Sequence, residues 1–442
     1  MNDREITIRE IYARRQQKKR RRRAWIISFV ILALLAAAAA VLLPKMLRKS
    51  ENDPAPTTPT TLAPTDESTE PPTEENTEPT TEPTQPVTEP EDNSLYLEQA
   101  QKVLDTMTLE EKVYQMLVIT PEQLTGVETA TRSGDATREA IEKYPVGGLV
   151  YFAQNIEDPE QITEMISNVQ SYSKLGLFIA VDEEGGSVSR IASNSAMGTT
   201  VFGNMSTVAD AAEAKNVGKT IGADIAKFGF NLNFAPVADV NADPDNDVIG
   251  SRAFSSDFET AAELVAACVE GYKESGVLCT LKHFPGHGTT DADSHSGSAN
   301  TSRTLEEMLA GEFVPFSSGI EAGADLVMVG HITCRNVVGS STPASLSKMI
   351  VTDILRGNLK FNGLVITDAM NMDAITDNYS AASAAVQAVQ AGCDILLMPE
   401  DMEAAVGGIL SALEDGSLTE ERINESVLRI LAAKLEAGII AE

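Results

Sequence analysis

The sequence predicts an α/β fold in which eight parallel strands alternate with helices, and two observations support this fold class. Short apolar runs recur along the chain, and helical segments such as Phe258–Glu274 and Ala381–Ala391 lie between most of them. Apolar runs of this length are typical of strands that are buried on both faces of a parallel sheet. The predicted strands are Met116–Ile119, Gly148–Phe152, Leu177–Asp182, Leu232–Ala238, Leu278–His283, Leu326–His331, Leu364–Asp368 and Ile395–Met398.

Eight such units can close into a (β/α)8 TIM-type barrel or form an open, doubly wound sheet. An open sheet that binds a dinucleotide carries a Gly-x-Gly-x-x-Gly turn after its first strand, and no such turn follows Ile119. We therefore favour the barrel and assign it residues 94–442. Before the first strand, Thr108-Leu-Glu-Glu111 has the form of a capping box, which predicts a short helix that ends near Met116.

Charge and cysteine content limit the classes of partner. The 442 residues include 34 basic and 65 acidic side chains, and the net charge of −31 argues against nucleic acid as a partner. The four cysteines show no Cys-x-x-Cys spacing, so we expect neither a zinc knuckle nor a redox motif. We expect all four to be buried thiols; they are Cys268, Cys279, Cys334 and Cys393.

The N-terminal part of the chain predicts a membrane anchor and a linker. Residues 1–23 contain a block of basic residues, and Ala24–Leu43 is apolar and long enough to cross a bilayer. The positive-inside rule then places the N-terminus in the cytoplasm and the barrel outside the cell. The alternative is a cleaved signal peptide, with Ala36–Ala40 as a cleavage site. Residues 44–93 are rich in Thr, Pro and Glu, which predicts an extended, disordered linker.

Polar residues follow the predicted strands at the points where they end. Because the active site of a (β/α)8 barrel is built at the C-terminal ends of its strands, these residues are candidates for function. They are Asp182, Glu183 and Glu184 after the third strand, Asp239 after the fourth, Lys282 and His283 on the fifth, His331 on the sixth, and Asp368 on the seventh.

Three of the four histidines lie within Lys282–His295, a segment whose Gly and Pro residues predict a loop. Histidine is well suited to proton transfer near neutral pH. Asp293 stands two residues before His295, so in extended backbone the two side chains point the same way. A carboxylate beside an imidazole raises the pKa of the imidazole, which suits a general acid/base.

For several of these residues the sequence leaves a structural interpretation open. Asp368 can be a nucleophile or the N-cap of the following helix, and position alone does not choose between them. We expect His287 to shape the loop, Asp239 to support it, and His331 to be a hydrogen-bonded residue at a strand end.

A metal site is an alternative for the same loop. The ligand types are present at His283, His287, Asp291, Asp293 and His295. However, His-x-x-x-His on a Pro-Gly loop lacks the helix face that makes this spacing useful for zinc. We therefore predict no metal and no cofactor.

Six segments, in the order given, resemble glycoside hydrolase family 3, specifically its bacterial β-N-acetylglucosaminidase branch. The similarity extends from about Leu97 to the C-terminus. The Lys-His-Phe-Pro-Gly-His-Gly…Asp-Ser-His element marks this branch, since the β-glucosidase branch lacks the Asp-Ser-His part. The segments are Met107–Met116, Val181–Arg190, Asn233–Val237, Ile249–Phe254, Lys282–His295 and Ile366–Met370.

The resemblance implies a role for each candidate residue. Asp368 matches the nucleophile, His295 the acid/base, and Asp293 its partner. Asp182 matches an aspartate that holds sugar hydroxyls, while Glu183 stands where the family often has Gln. The remaining matches line the subsite for the terminal N-acetylglucosamine, and they are Arg190, Arg252, Lys282 and His283.

The function implied is that of a retaining exo-β-N-acetylglucosaminidase with a monomeric catalytic barrel that contains the whole active site. Its substrate would be a glycan that contains N-acetylglucosamine, and the predicted anchor favours peptidoglycan fragments. Two alternatives remain: a β-glucosidase of the same superfamily, and a non-catalytic cell-wall-binding protein on a decayed barrel. The full set of matched residues favours the enzyme.

Overall fold

The computed structural model describes residues 93–243, 246, 248–294 and 297–440. The predicted cytoplasmic segment, the predicted transmembrane helix at 24–43 and nearly all of the linker lie outside these residues, as does His295. Within the described ranges, no helix is both long enough and apolar enough to span a membrane. The membrane anchor therefore stays a prediction.

Eight parallel strands form one sheet in which each strand pairs with its neighbour in the chain, and the first also pairs with the eighth. All eight predicted strands are confirmed, and the barrel is the correct alternative to the open sheet. The strands are β1 Leu117–Ile119, β2 Gly148–Tyr151, β3 Phe178–Val181, β4 Leu232–Asn233, β5 Leu278–Phe284, β6 Leu326–Val329, β7 Leu364–Thr367 and β8 Leu396–Leu397.

The strand β4 is much shorter than the predicted Leu232–Ala238. The regular strand ends at Asn233, although the Phe234 amide still donates to the Val181 carbonyl over 2.9 Å and the Ala235 carbonyl accepts from the Thr280 amide over 2.8 Å. The chain nevertheless continues beside β5, since Val237 bridges Lys282 and the Ala238 amide donates to the Lys282 carbonyl over 2.8 Å. The segment therefore still leads Asp239 to the C-terminal end of the barrel.

Side chains help to close the barrel between β7 and β8. Ile366 and Ile395 form an isolated parallel bridge, and the Leu397 amide donates to Thr367 Oγ1 over 3.0 Å. Asp394 Oδ2 accepts from the Val365 amide over 2.9 Å. We call the junction of β7 and β8 the seam of the barrel. The seam depends on the buried Asp394 because its side chain takes the place of a backbone acceptor. Its charge is compensated by hydrogen-bonded or ion-paired Arg356, Arg422, Arg429 and Ser426.

Helices surround the sheet and bury its outer face. The predicted capping box is confirmed: Thr108 and Glu111 cap each other's backbone at the start of the helix Leu109–Gln115. The helices are Asn93–Leu104, Leu109–Gln115, Pro121–Thr125, Asp135–Lys143, Pro159–Tyr172, Ala211–Ala226, Phe258–Ser275, Leu305–Ala310, Phe313–Glu321, Arg335–Val338, the π-type Met349–Arg356, Asp373–Thr376, Ala381–Ala391, Met402–Glu414 and Glu420–Glu436.

Short elements complete the description. Two two-stranded ribbons lie outside the barrel: Glu183–Gly185 with Val188–Ser189, and Ala299–Asn300 with Ile332–Thr333. Single 3-10 turns occur at Ala153–Asn155, Ser195–Met197, Met205–Thr207, Gly250–Arg252 and Ala344–Leu346. The four cysteines are free and buried, as the sequence predicts. The ribbons matter for function because both follow strands at the C-terminal end of the barrel.

Candidate active site

An ion-pair network occupies the C-terminal ends of β3 and β5. Lys282 Nζ lies 2.6 Å from Asp182 Oδ1 and 2.6 Å from Glu184 Oε1. Glu184 also receives a two-pronged pair of hydrogen bonds from Arg252, at 2.8 Å from Nε and 2.7 Å from Nη2. The Lys282 and Glu184 side chains are 3% and 1% exposed, whereas Asp182 is 19% exposed. Asp182 and Arg252, whose side chain is 17% exposed, are therefore the members of the network that are open to a ligand.

The network holds its members in their charged forms. Burial opposes the charge on Glu184, yet Lys282 and Arg252 lower its pKa to about 2. Burial likewise disfavours charged Lys282, but Asp182 and Glu184 raise its pKa above the usual value. Glu184, Lys282 and Arg252 thus stay ionised at neutral pH, in an arrangement that can both accept and donate hydrogen bonds.

Asp239, after β4, organises the start of the histidine-containing loop. Its Oδ2 accepts from the His283 amide over 3.0 Å and contacts His283 Nδ1 at 2.7 Å. Its Oδ1 accepts from the His287 amide over 2.6 Å. Although Asp239 is fully buried, His283 and His287 lower its pKa. The prediction that Asp239 supports the loop is confirmed. The contact with Asp239 occupies one ring nitrogen of His283, Nδ1.

His287 has the loop-shaping position that the sequence predicts for it. Its Nδ1 lies 2.7 Å from Thr290 Oγ1 and its Nε2 lies 3.0 Å from Ser294 Oγ. Burial lowers the pKa of His287, although Asp239 raises it, so the ring is neutral. A neutral ring with both nitrogens engaged within its own loop holds Ser294, the residue between Asp293 and His295.

The ribbon after β3 carries Arg190. Glu183 is the first residue of this ribbon, and its carboxylate accepts from the backbone amides of Arg190, at 2.8 Å, and Ile191, at 2.7 Å. The Arg190 guanidinium carbon lies 5.9 Å from the centre of the Phe152 ring. Glu183 therefore fixes the backbone of Arg190 while Glu184, its neighbour, faces the cations of the network.

Asp368 directly follows β7 and is only 7% exposed. Its Oδ1 accepts from the amide of the next residue, Ala369, over 2.8 Å. The following helix begins at Asp373, and its N-cap residue is Met372. Asp368 caps no helix in the described part of the chain, so the N-cap interpretation is wrong and the interpretation as a nucleophile remains.

The structure brings most of the predicted site residues to one end of the barrel. Asp182, Lys282 and Arg252 share the ion-pair network, and His283 stands beside it on β5. Asp293 lies half-buried in the loop, whereas the position of its predicted partner, His295, is outside the described residues. The pairing of these two residues therefore stays a prediction.

Sequence reasoning did not predict the contacts of two residues that support the site, Glu184 and Glu312. The sequence identifies Glu184 only as one of three acidic residues after β3, and nothing in the sequence shows which of the three pairs with Arg252. Glu312 starts a helix far along the chain, and its Oε1 accepts from Thr289 Oγ1 and Arg303 Nε, each over 2.8 Å. No sequence signal connects it to the loop.

The predicted absence of a metal is not tested by this site. In the described part of the chain, no three His, Cys, Asp or Glu side chains converge to hold a metal ion. His295 belongs to the alternative ligand cluster and is outside that part.

The fold and the site define an α/β barrel with a buried carboxylate after β7 and an ion-pair network after β3 and β5, at the end where the active sites of such barrels are built. The family model described as glycosyl hydrolase family 3 N terminal domain matches residues 108–433. The chain belongs to this family, and the resemblance to its β-N-acetylglucosaminidase branch is confirmed.

Relatives with reported names support the same branch. A protein named Beta-hexosaminidase A from Pseudoalteromonas piscicida is 35% identical over 326 residues, covering 67% of this chain and 54% of that protein. A Beta-hexosaminidase from Idiomarina loihiensis is 35% identical, covering 66% and 88%. A family 3 beta-N-acetylglucosaminidase from Paenibacillus has a TM-score of 0.71 at 35% identity, covering 76% and 63%. The chain thus spans about half the length of the first of these relatives.

Proposed function

We propose that this protein is a retaining exo-β-N-acetylglucosaminidase that removes terminal β-linked N-acetylglucosamine through a glycosyl-aspartate intermediate. The observation that carries the proposal is Asp368, a carboxylate at the C-terminal end of β7 that caps no described helix. The names of the relatives support the choice of sugar, since they are hexosaminidases and a β-N-acetylglucosaminidase.

The ion-pair network supports binding of the terminal sugar. Asp182 is fixed by Lys282 but remains accessible, so it can accept hydrogen bonds from sugar hydroxyls. Lys282, Arg252 and His283 can donate to the oxygen atoms of the same ring. Because the charged groups are already paired in the absence of sugar, they need little reorganisation when the sugar binds.

Catalysis would follow two steps. In the first, Asp368 attacks the anomeric carbon while His295 gives a proton to the leaving glycosidic oxygen. In the second, neutral His295 takes a proton from water, the water oxygen attacks the anomeric carbon, and Asp368 leaves as a carboxylate. Two inversions give net retention. Asp293 would orient His295 and stabilise its protonated form.

The use of histidine as acid/base has a consequence for the acceptor. A neutral imidazole repels an incoming anion less than a carboxylate does. Transfer to phosphate is therefore compatible with this site alongside hydrolysis, and product analysis with and without phosphate distinguishes the two.

Substitution of Asp368 tests the proposed function. We expect Asp368→Asn and His295→Ala each to lower turnover of an aryl β-N-acetylglucosaminide by about 10³-fold or more, because each removes a group from the covalent step. Asp373→Asn, at the exposed start of the helix that follows Asp368, is the matched control and should retain activity. Near-native turnover by Asp368→Asn would refute the assignment, and an aryl glucoside measured in parallel tests the β-glucosidase alternative.

We also propose that the protein is held in the cell membrane by residues 24–43, with the barrel outside the cell on the 44–93 linker. Cell-wall fragments are then the accessible glycans, which favours a peptidoglycan-derived substrate. Fractionation of cells that express the full chain should place it in the membrane fraction. Recovery of the intact chain in the soluble fraction would contradict the anchor.

A further inference from the structure

A polar cavity of about 440 Å³ lies on the outside of the barrel. One wall is the segment 131–134, which follows β1 and leads into the helix Asp135–Lys143. The other wall is the N-terminal half of the helix Pro159–Tyr172, together with the residues just before it. The described residues of the candidate active site do not line this cavity. Its volume is within the range of roughly 300–1,000 Å³ that is typical of sites for small molecules.

Side chains of the helix hold the two walls together. Gln161 Nε2 donates to the Thr131 carbonyl over 2.7 Å and to the Asn155 carbonyl over 3.0 Å. Asn168 Nδ2 donates to the Ser133 carbonyl over 3.3 Å. These bonds fix the shape of the cavity, so a ligand loses little affinity to the ordering of the walls.

Four carboxylates and one guanidinium line the cavity, so its net charge is negative. Asp158 is the N-cap of the helix and Glu160 lies in its first turn, where carboxylates stabilise a helix. Glu164 lies one turn further along, where the helix dipole no longer accounts for it. The side chains of Glu157, Glu160 and Glu164 are exposed and form no ion pair or hydrogen bond with other described residues. Uncompensated negative charge in a concave site attracts a cationic group.

Ser133 is an independent indication of a ligand. It lines the cavity and is only 7% exposed, yet its hydroxyl group has no hydrogen-bond partner in the described part of the chain. Because the residue is otherwise enclosed, this hydroxyl group can bond only to a molecule in the cavity. Its neighbour Arg132 is exposed, and the guanidinium, unpaired within the described ranges, can hold both oxygens of a carboxylate. The cavity therefore offers charges of both signs beside a free hydroxyl group.

We propose that this cavity binds a small zwitterionic amine of the size of a dipeptide, with an ammonium group and a carboxylate. The carboxylates on and before the helix bind the ammonium group, Arg132 binds the carboxylate of the ligand, and Ser133 forms a hydrogen bond with the part between them. The inference does not depend on the proposed function, because it concerns a separate site. Its test therefore measures binding and not turnover.

The test is a ligand-observed NMR titration of the full chain with three probes. The dipeptide Ala-Ala has one ammonium group and one carboxylate, acetyl-Ala-Ala lacks the ammonium group, and Ala-Ala amide lacks the carboxylate. We expect saturable binding of Ala-Ala with a Kd of about 1 mM or lower. Each of the other two probes should bind roughly tenfold more weakly, in line with the loss of one charge-assisted pair.

Variants assign the contacts. Glu164→Gln should weaken the binding of Ala-Ala by roughly tenfold and change that of acetyl-Ala-Ala by less than about twofold. Arg132→Gln should weaken Ala-Ala to a similar degree and leave Ala-Ala amide within about twofold. Ser133→Ala should weaken Ala-Ala by about threefold, because one neutral hydrogen bond is lost. Glu139→Gln, an exposed residue of the neighbouring helix outside the cavity, is the matched control and should bind as wild type.

The absence of saturable Ala-Ala binding to the wild type below about 10 mM would overturn the inference. Equal affinity for the three probes would also overturn it, since the site would then not read the two charges. The same holds if Glu164→Gln and Arg132→Gln bind Ala-Ala as well as the wild type does. An equal loss of affinity in Glu139→Gln would assign the binding to the general surface charge and would refute the cavity as its site.

Discussion

Glu184 receives hydrogen bonds from two cations and is almost completely buried, so the charge balance of the ion-pair network depends on it. Asp182 and Lys282 could be identified from the sequence because each is a charged residue in the last two positions of a predicted strand. Glu184 could not, because the alternation of side chains on the short ribbon decides whether Glu183 or Glu184 faces the cations. Only the contact with Arg252, 68 residues later, settles that choice.

Replacement of Glu184 should reduce stability. We expect Glu184→Gln to lower the free energy of unfolding at pH 7 by about 3–5 kcal/mol, because Lys282 and Arg252 lose a buried counter-ion. The pKa of Glu184 is about 2 when folded, below its value in the unfolded chain. The stabilisation is therefore complete above about pH 4.5 and is lost as the pH falls towards 2. Urea unfolding at pH 3 to 7 measures the difference from wild type.

A matched control for this comparison is Glu139→Gln, on the exposed face of the helix Asp135–Lys143. Its unfolding curve should stay close to that of the wild type at every pH. If the difference between Glu184→Gln and the wild type did not shrink below pH 4.5, the ionised state of Glu184 would not be the source of the stabilisation.

At the scale of elements, the loop after β5 is attached to its surroundings at several points. Asp239 holds its beginning, and Gly288 lies so close to the β4 segment that an added Cβ would sit 1.8 Å from the Val240 carbonyl oxygen. The sequence showed that this segment is a loop with histidines. It did not show what holds the loop, because the supports are distant in sequence. They are Asp239, Glu312 and Asn246, whose Nδ2 donates to the His287 carbonyl over 3.0 Å.

Glu312 joins the two ends of this loop, so we predict that it acts as a positioning residue. Glu312→Gln removes the negative charge that holds Arg303 and Thr289, which loosens the segment that carries Asp293. We expect kcat on the aryl substrate to fall by about tenfold with little change in KM, because the loop donates the proton and does not hold the terminal sugar. The pH profile of kcat should shift, which a purely structural role would not cause.

The control for Glu312 is Glu306→Gln, an exposed residue on the preceding helix, Leu305–Ala310. It should leave both kinetic constants and the pH profile unchanged. A Glu312→Gln enzyme with native kcat and only a lower Tm would show that the contact supports the fold and has no part in placing the loop.

For the whole molecule, the number and order of the strands could be predicted because apolar runs are a local property of the chain. The closure of the barrel and the burial and pairing of individual charged residues could not be predicted, because both depend on residues that are far apart in the sequence. Lys434 is an example. It lies on the last helix, is fully buried, and donates from Nζ to Gln115 Oε1 over 2.9 Å. Burial lowers its pKa to about 7.

This burial predicts a pH-dependent stability. Between about pH 7 and pH 10 the unfolded chain binds a proton at Lys434 that the folded chain does not, so stability rises with pH over this window. We expect Lys434→Met to be more stable than wild type by about 2 kcal/mol at pH 6.5, the lost bond to Gln115 offsetting part of the gain. The advantage should disappear by pH 10. Parallel unfolding profiles for the two proteins would show that Lys434 does not titrate on folding.

The seam between β7 and β8 has a consequence for the order of events during synthesis. Asp394, which bonds the Val365 amide across the seam, is paired with Arg422 and Arg429 on the helix Glu420–Glu436. Those two cations leave the ribosome after every strand has been made. An Asp394 without them would be a buried anion with less compensation, so we expect the nascent barrel to remain open at this seam until that helix docks. Asp368 lies at one end of the seam, and the proposed nucleophile would therefore reach its final place among the last parts of the molecule.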